Sequence, residues 1–495
     1  MSLPCCLMAG AASLLCNLAL AQALPPAVTT ALARAKVPLD AVTLLVVDAE
    51  AKSAPRLSHR ATVQVNPASV MKLVTTYAAL DLLGPAYTWR TPVFVDGAVR
   101  DGTLFGNLYF QGQGDPKLVT ERLWLLLRRV QGLGINKIAG DIVLDHSAFE
   151  TIDMDPASFD GEPLRPYNVA PDALLINFKS VVMTFVPDSS ANLARVQFEP
   201  PLAGVQMQAS VALSAGDCDD YRAALKADFS DPARIRFAGV YPATCLEKVW
   251  PVAYADPPSY SARAVEGLWF AMGGKLAGTV RDEHVPMAAG VTTRTAIQPT
   301  FELISPPLAE IVRDINKFSN NVMAQQLFLT LSLPANAHNA NPLGTSTGPV
   351  AGPVTYQKAS RKASGEVLRR WWQERIGSDE APTLDNGAGL SRIERISAQA
   401  LAHLLQVAYR SPLMPELMSS LPITGVDGTQ KRSRAQAQGR AHLKTGSLRD
   451  VAALAGYVHG ASGKRYVLVA VANHPNASAA RAAFEALLDW AANDN

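Results

Sequence analysis

Three strand-like runs near the C-terminal end constrain this chain most. Residues 441–448 (AHLKTGSL), 452–460 (AALAGYVHG) and 465–473 (RYVLVAVAN) are separated only by tight turns. Such turns join antiparallel neighbours, because a parallel pair needs a crossover of about a dozen residues or more. The spacing predicts an antiparallel meander, closed by a helix over 478–492 (SAARAAFEALLDWAA). A β-branched run at 40–50 (DAVTLLVVDAE) predicts a strand near the other end. Helical spacing links Val70, Leu73, Val74, Tyr77, Ala78 and Leu80, and Gly84 stands where that helix would stop. The same periodicity returns at 121–134, 301–333, 365–376 and 397–410. Helices flanking a largely antiparallel sheet define an α+β chain.

Between these ends, 91–110 read as short alternating strands with glycine turns. Residues 165–263 form a distinct strand-rich block without a long amphipathic helix, and 334–355 are a loop rich in Asn, Gly, Pro and Thr. The 495 residues leave room for roughly three domains of about 150 residues each. A hydrophobic fraction of 48 % argues against disorder. A net charge of +2 offers no electrostatic case for nucleic acid or for an anionic membrane surface.

No charged residue precedes Arg34, and Leu7 to Ala23 is an apolar run ending in small residues at alternate positions. Pro25-Pro26 follows. This pattern predicts a signal peptide over 1–23, cut near Ala21 or Ala23, although the segment lacks a basic leading region. Export to the periplasm follows as an expectation, with membrane association at most peripheral. Cys5, Cys6 and Cys16 would leave with the signal. Cys218 and Cys245 remain, and an even pair in an oxidising compartment predicts a disulfide. Closing that loop of roughly 28 residues is worth roughly 3 kcal/mol in the chain-entropy view.

Three short motifs carry chemistry. In Ser69-Val70-Met71-Lys72, positions i and i+3 share one helix face, about 5–6 Å apart. A neutral Lys72 could take the Ser69 proton, and burial favours neutrality. The bland alternative is a helix cap beside a solvated lysine. In Ser319-Asn320-Asn321, a hydroxyl could relay a proton and an amide could hold a substrate amide. Ser190-Ala191-Asn192 repeats that spacing in an expected hairpin, so this motif alone does not choose. In Lys444-Thr445-Gly446, glycine lets a substrate backbone pass close to a strand, while Lys444 and Thr445 offer a cation and a hydroxyl to a carboxylate.

The ordered trio S-x-x-K, S-x-N and K-T-G is the signature of serine β-lactamases and penicillin-binding proteins. The segments GQGDPKL, GDIVLDHSAF, PYNVAPDALLINF, SPPLAEIVRDINKFSNN, DNGAGLSR, ITGVDGTQKR and LKTGSLRDVAALAGYV sharpen the likeness. From about residue 40 onward the chain resembles the D-alanyl-D-alanine carboxypeptidase/endopeptidase family, the class C low-molecular-mass penicillin-binding proteins of the penicillin-binding protein 4 type. About half the chain separates Ser69 from Ser319. The resemblance implies that inserted domains fill this gap: a transpeptidase-like domain from 24–90 and 300–495, split by a domain from 91–164 and 264–299, itself holding another at 165–263.

The resemblance also implies roles. Ser69 would be the nucleophile and Lys72 its base. Ser319 would pass a proton to the leaving amine, with Lys444 beside it. Asn321 would bind the substrate amide, and Thr445 with Lys444 the terminal carboxylate. The N–H groups of Ser69 and Ser447 would form the oxyanion hole, with Gly446 letting the substrate pass close to the strand. Arg392 and Arg449 are further candidates for the peptide or its carboxylate, and Asp145 and Phe149 for the stem side chain. The turn DNGAGLSR departs from the usual D-G-S-G-L-S-R, which leaves the placement of Arg392 open. The implied substrates are peptidoglycan stem peptides, with β-lactam antibiotics as acylating ligands.

A β-lactamase or esterase on the same machinery, or a scaffold that kept the fold, are the competing functions. Gly344-Thr345-Ser346-Thr347-Gly348 matches a nucleophile elbow but lies in a loop. The eight histidines form no metal-binding spacing, and the sequence calls for no cofactor. Trp371-Trp372 on a helix reads as core packing.

Overall fold

A computed structural model describes residues 23–286, 298–333, 358–377 and 380–494. The expected signal segment, except its last residue, and the 334–355 loop with its elbow-like match lie outside the described residues.

The predicted meander is the heart of a five-stranded antiparallel sheet. Its order is Leu57–His59, Val42–Asp48, Arg465–Asn473, Val451–His459, Ala441–Leu448. The two ends of the chain are thus adjacent strands, with Val42 opposite Ala472 and Asp48 opposite Tyr466. The central strands are apolar at nearly every position because both faces are covered. Leu45, Val47, Ala453, Ala455, Val467, Val469 and Val471 pack with the helices Lys72–Leu83, Leu308–Phe318, Asn321–Thr330, Arg361–Arg375 and Ala398–Arg410. Val42, Leu44, Val46, Ala452, Leu454, Leu468 and Ala470 pack on the other side with Pro26–Ala35 and Arg481–Ala492. Each fully buried Val or Leu contributes about 1.5–3 kcal/mol. A charged residue in these strands therefore needs a specific reason, and Lys444 has one. Trp371 and Trp372 are both buried as expected, and the Trp371 indole donates to Asp81 at 2.8 Å.

Between helix Lys72–Leu83 and strand Phe301–Ile304 the chain leaves this layer. Arg90–Arg100 and Thr103–Gln111 form one long hairpin rather than several short strands. The sequence misleads here because Gly97 and Gly106 sit opposite each other inside the strands, not at turns. A Cβ on Gly106 would lie 1.5 Å from the Asp96 carbonyl oxygen. The turn is Asp101-Gly102, both with positive φ, the hairpin conformation that such a pair favours. Phe301–Ile304 joins the edge of this sheet beside Arg90–Arg100.

A second five-stranded sheet and a small three-stranded one occupy 180–253. One apolar cluster runs through both regions, from Leu108 and Leu126 to Phe185, Tyr241 and Trp269. The helix Pro257–Ala271 spans the expected boundary at 263–264 and supplies Tyr260, Val265 and Trp269 to that cluster. Its first turn begins with a proline pair, which suits a helix start but breaks the apolar rhythm by which helices are read. Cys218 and Cys245 form the expected disulfide, with Cα atoms 4.7 Å apart.

Among the described residues, no helix is long and apolar enough to cross a membrane, and no group of three or more metal-ligating side chains occurs.

Candidate active site

Ser69 lies in a 3-10 turn, Ala68–Met71, that runs into the helix Lys72–Leu83. In a 3-10 turn residues i and i+3 eclipse, so Ser69 and Lys72 are brought face to face. Lys72 Nζ donates to Ser69 Oγ at 2.9 Å. The turn is anchored from below. Asn66 accepts from the Ala68 N–H at 2.9 Å and donates to the Ser391 carbonyl at 2.9 Å. Asn473, at the end of a central strand, clasps the Asn66 backbone with both ends of its amide. Neither asparagine stood out in the sequence. They act on backbone groups, which leaves no residue pattern to read.

Lys72 is fully buried and makes two further bonds, to Asn321 Oδ1 at 2.6 Å and to the Ala388 carbonyl at 2.5 Å. Burial pushes its amine down to about 7, against the upward pull of the Glu394 charge. The bond from the 385–389 turn comes from backbone. The alanine that departs from the family pattern at 388 therefore costs Lys72 no partner.

Ser319-Asn320-Asn321 forms the corner between two helices. Ser319 ends Leu308–Phe318 with φ at 57°, an uncommon conformation for a residue with a side chain. Asn320 caps the next helix by accepting from the Met323 N–H at 3.0 Å. The middle residue is thus a cap, and it releases its neighbours to opposite lysines. Ser319 Oγ accepts from Lys444 Nζ at 2.8 Å, while Asn321 takes Lys72. Lys444 is fully buried, and burial followed by the neighbouring Lys72 charge holds its amine well below the ordinary lysine value. Ser190-Ala191-Asn192 lies in the hairpin between Ser180–Asp188 and Leu193–Glu199, as expected.

The glycine of K-T-G also has a use in packing. A Cβ at Gly446 would meet the Pro67 carbonyl oxygen at 2.6 Å and the Ala68 Cβ at 3.2 Å. Gly446 makes room for the Ser69 turn itself. Thr445 Oγ1 donates to Thr429 Oγ1 at 2.7 Å, which brings the ITGVDGTQKR segment to the strand. That segment is fixed by Asp427, which accepts from Lys317 Nζ at 2.6 Å, two residues before Ser319. Ser447 is exposed and its hydroxyl accepts from Arg481 at 2.6 Å.

The weaker candidates lie farther out. Arg392 pairs with Asp450 at 2.8 Å on the hairpin that follows K-T-G, and Phe159 lies over its guanidinium. Arg449 is exposed at the same hairpin turn. Asp145 is buried and accepts from the Ser147 and Val285 N–H groups. Phe149 packs with Ala173, Leu329 and Ala359.

The model of the family described as "D-Ala-D-Ala carboxypeptidase 3 (S13) family" matches residues 26–494. The chain belongs to that S13 family. It is a serine peptidase and a hydrolase. Among curated relatives, the D-alanyl-D-alanine carboxypeptidase DacB of Haemophilus influenzae is 24 % identical over 82 % of this chain and 80 % of its own length. The D-alanyl-D-alanine carboxypeptidase of Actinomadura sp. strain R39 is 26 % identical over 81 % of this chain and 72 % of its own. The crystal structure of penicillin binding protein 4 from H. influenzae shares the α+β fold of this S13 chain. Its TM-score is 0.69 at 21 % identity, covering 93 % of this chain and 99 % of that one. The same protein has been solved in complex with a β-lactam.

Proposed function

We propose that this S13 peptidase cleaves the D-alanyl-D-alanine end of peptidoglycan stem peptides through an acyl-enzyme on Ser69, and that penicillins acylate the same serine. One observation carries this: Ser69, Lys72, Asn321, Ser319 and Lys444, drawn from three distant segments, form two lysine-centred hydrogen-bond sets around two buried amines.

Neutral Lys72 would take the Ser69 proton as Oγ attacks the carbonyl of the penultimate D-Ala. The N–H groups of Ser69 and Ser447 would stabilise the oxyanion, a term usually among the largest in acyl transfer. As the C–N bond breaks, Ser319 would give its proton to the leaving amine, and Lys444 would stabilise the charge left on that oxygen. The proton held by Lys72 would restore the Ser319 hydroxyl, and neutral Lys72 would then take a proton from the attacking water and give it to the Ser69 oxygen as the acyl bond breaks and the shortened peptide leaves. The oxygen of Asn321 is committed to Lys72, so its N–H end would meet the substrate amide. Thr445 and Lys444 would hold the terminal carboxylate, with Thr429 supporting Thr445. Arg392 and Arg449 would flank the entrance. An endopeptidase uses the same steps with a cross-linked amine as leaving group.

Periplasmic residence, reached through the 1–23 signal, and the nested insertions at 91–164 with 264–299 and at 165–263 belong to the same proposal. The disulfide supports an oxidising compartment. Purified muropeptides treated with the enzyme test the proposal by mass spectrometry. Loss of terminal D-Ala is the expected result, and dimer-to-monomer conversion would add endopeptidase activity. Unchanged muropeptides, or equal cleavage by Ser69→Ala, would overturn it.

A further inference from the structure

We propose that Glu394 is a positioning residue for Lys72: it builds the 385–389 turn that grips the amine and places a negative charge behind it. This rests on the proposed role of Lys72 as base.

Glu394 lies two residues beyond Arg392 and is fully buried. One carboxylate oxygen accepts from three successive backbone N–H groups, Asp385 at 3.1 Å, Asn386 at 3.1 Å and Gly387 at 2.9 Å. The other, Oε2, is buried without a hydrogen-bond partner among the described residues. That is a costly arrangement for a side chain that only closes a turn, since a buried acceptor left unpaired costs about 1–3 kcal/mol.

The turn is wedged onto the Ser69 segment. The Gly387 carbonyl accepts from Thr75 Oγ1 at 2.6 Å. A Cβ at Gly389 would lie 1.9 Å from the Ala68 carbonyl oxygen. Between them, the Ala388 carbonyl accepts from Lys72. Glu394 therefore reaches Lys72 through one peptide and sets where that carbonyl stands.

The charge matters as well. The charged groups that face Lys72 are Glu394 and, from the K-T-G strand, Lys444; Asp385 faces Glu394. Both lysines are fully buried. Lys444 has Lys72 as its charged neighbour and is driven well below its ordinary value, whereas Lys72 has the Glu394 carboxylate and stays at about 7. A base poised near working pH is the most effective one. Burial raises the Glu394 carboxyl itself, and the three N–H bonds counter that rise.

The test follows acylation by a fluorescent penicillin as a function of pH in the unaltered enzyme, Glu394→Gln and Glu394→Ala. Glutamine can still accept the three N–H bonds but carries no charge. In Glu394→Gln the acid limb should move to lower pH by about one unit or more. Glu394→Ala should lose acylation at every pH, by roughly 10-fold or more, because the turn has lost its acceptor. A folded Glu394→Gln with an unmoved limb would overturn the role of Glu394 while leaving the proposed function intact. No label on the unaltered enzyme would overturn the proposed function, and this inference with it. Should Glu394→Gln not fold, infrared spectra of the unaltered enzyme grown on 13C-labelled glutamate decide. Glu394 is the one buried glutamate among the described residues. An ionised band through the limb is expected, and a protonated carboxyl band there would overturn the inference.

Discussion

Lys444 Nζ donates to Ser319 Oγ at 2.8 Å, across 125 positions of sequence. The amine is fully buried, sits near a second buried lysine, and has the Thr445 carbonyl as its other acceptor. Such a group persists only where it is hydrogen-bonded and where its charge is useful. Ser319→Ala removes the hydroxyl without filling its place. Steady-state kinetics on a D-Ala-D-Ala peptide should show kcat lowered roughly 10²–10⁴-fold, with a smaller change in KM. An equal loss confined to KM would point to a binding role instead.

Lys72 gives a pH profile with a definite sign. In the proposed mechanism its neutral form is the active one, and burial holds the amine at about 7, far below the ordinary lysine value of 10.5. kcat/KM should therefore rise with pH through an apparent pKa near that value and then level off. Stability follows the same sign. Between the folded and unfolded values the unfolded chain binds the extra proton, so this lysine makes the fold more stable as pH rises through that window. Lys444 acts in the same direction. His146 opposes them. Burial would lower it, but bonds to Asp172 and Asp282 outweigh burial and raise it to about 9 from 6.5. Its contribution is complete below 6.5 and is lost as pH climbs through 9. Chemical denaturation of Lys72→Met and His146→Gln against pH should flatten these two trends separately.

Gly389→Ala tests the packing of the 385–389 turn on the Ser69 segment. The residue has φ at 77°, and its Cβ would enter the Ala68 peptide. Strain of this kind costs on the order of 1–3 kcal/mol. A lowered melting temperature and slower penicillin acylation are expected together, because relief of the clash displaces Ala68 and with it Ser69.

Loss of the Cys218–Cys245 bridge should separate stability from chemistry. Cys245 and its partner pack in one apolar cluster, whereas Met71, Leu73 and Val74 beside Lys72 pack in another. Cys218→Ser with Cys245→Ser should destabilise by about 2–5 kcal/mol, read by denaturant melts. Penicillin labelling below the melting transition should stay close to that of the unaltered enzyme.

The candidate site was legible in the sequence where its residues fall in short motifs. Ser69, Lys72, Ser319, Asn321, Lys444 and Thr445 sit in short motifs, and the structure brings all six together. The meander was legible too, since its turns are too short for another topology. What stayed hidden acts through backbone or across distant segments. Asn66, Asn473 and Glu394 bind peptide groups, which leave no residue pattern. The Lys317–Asp427 pair joins segments 110 positions apart. The packing of Gly446 on the Pro67 carbonyl was not legible, because that carbonyl belongs to the other end of the chain. The hairpin from Arg90 to Gln111 looked fragmented because its glycines face each other within the strands.

Peptide mapping of the enzyme after reaction with labelled penicillin tests the central claim most directly. One adduct is expected, on the peptide that contains Ser69, and Ser69→Ala should lose it while keeping its fold. An adduct on any other residue, or none on a folded enzyme, would contradict the account.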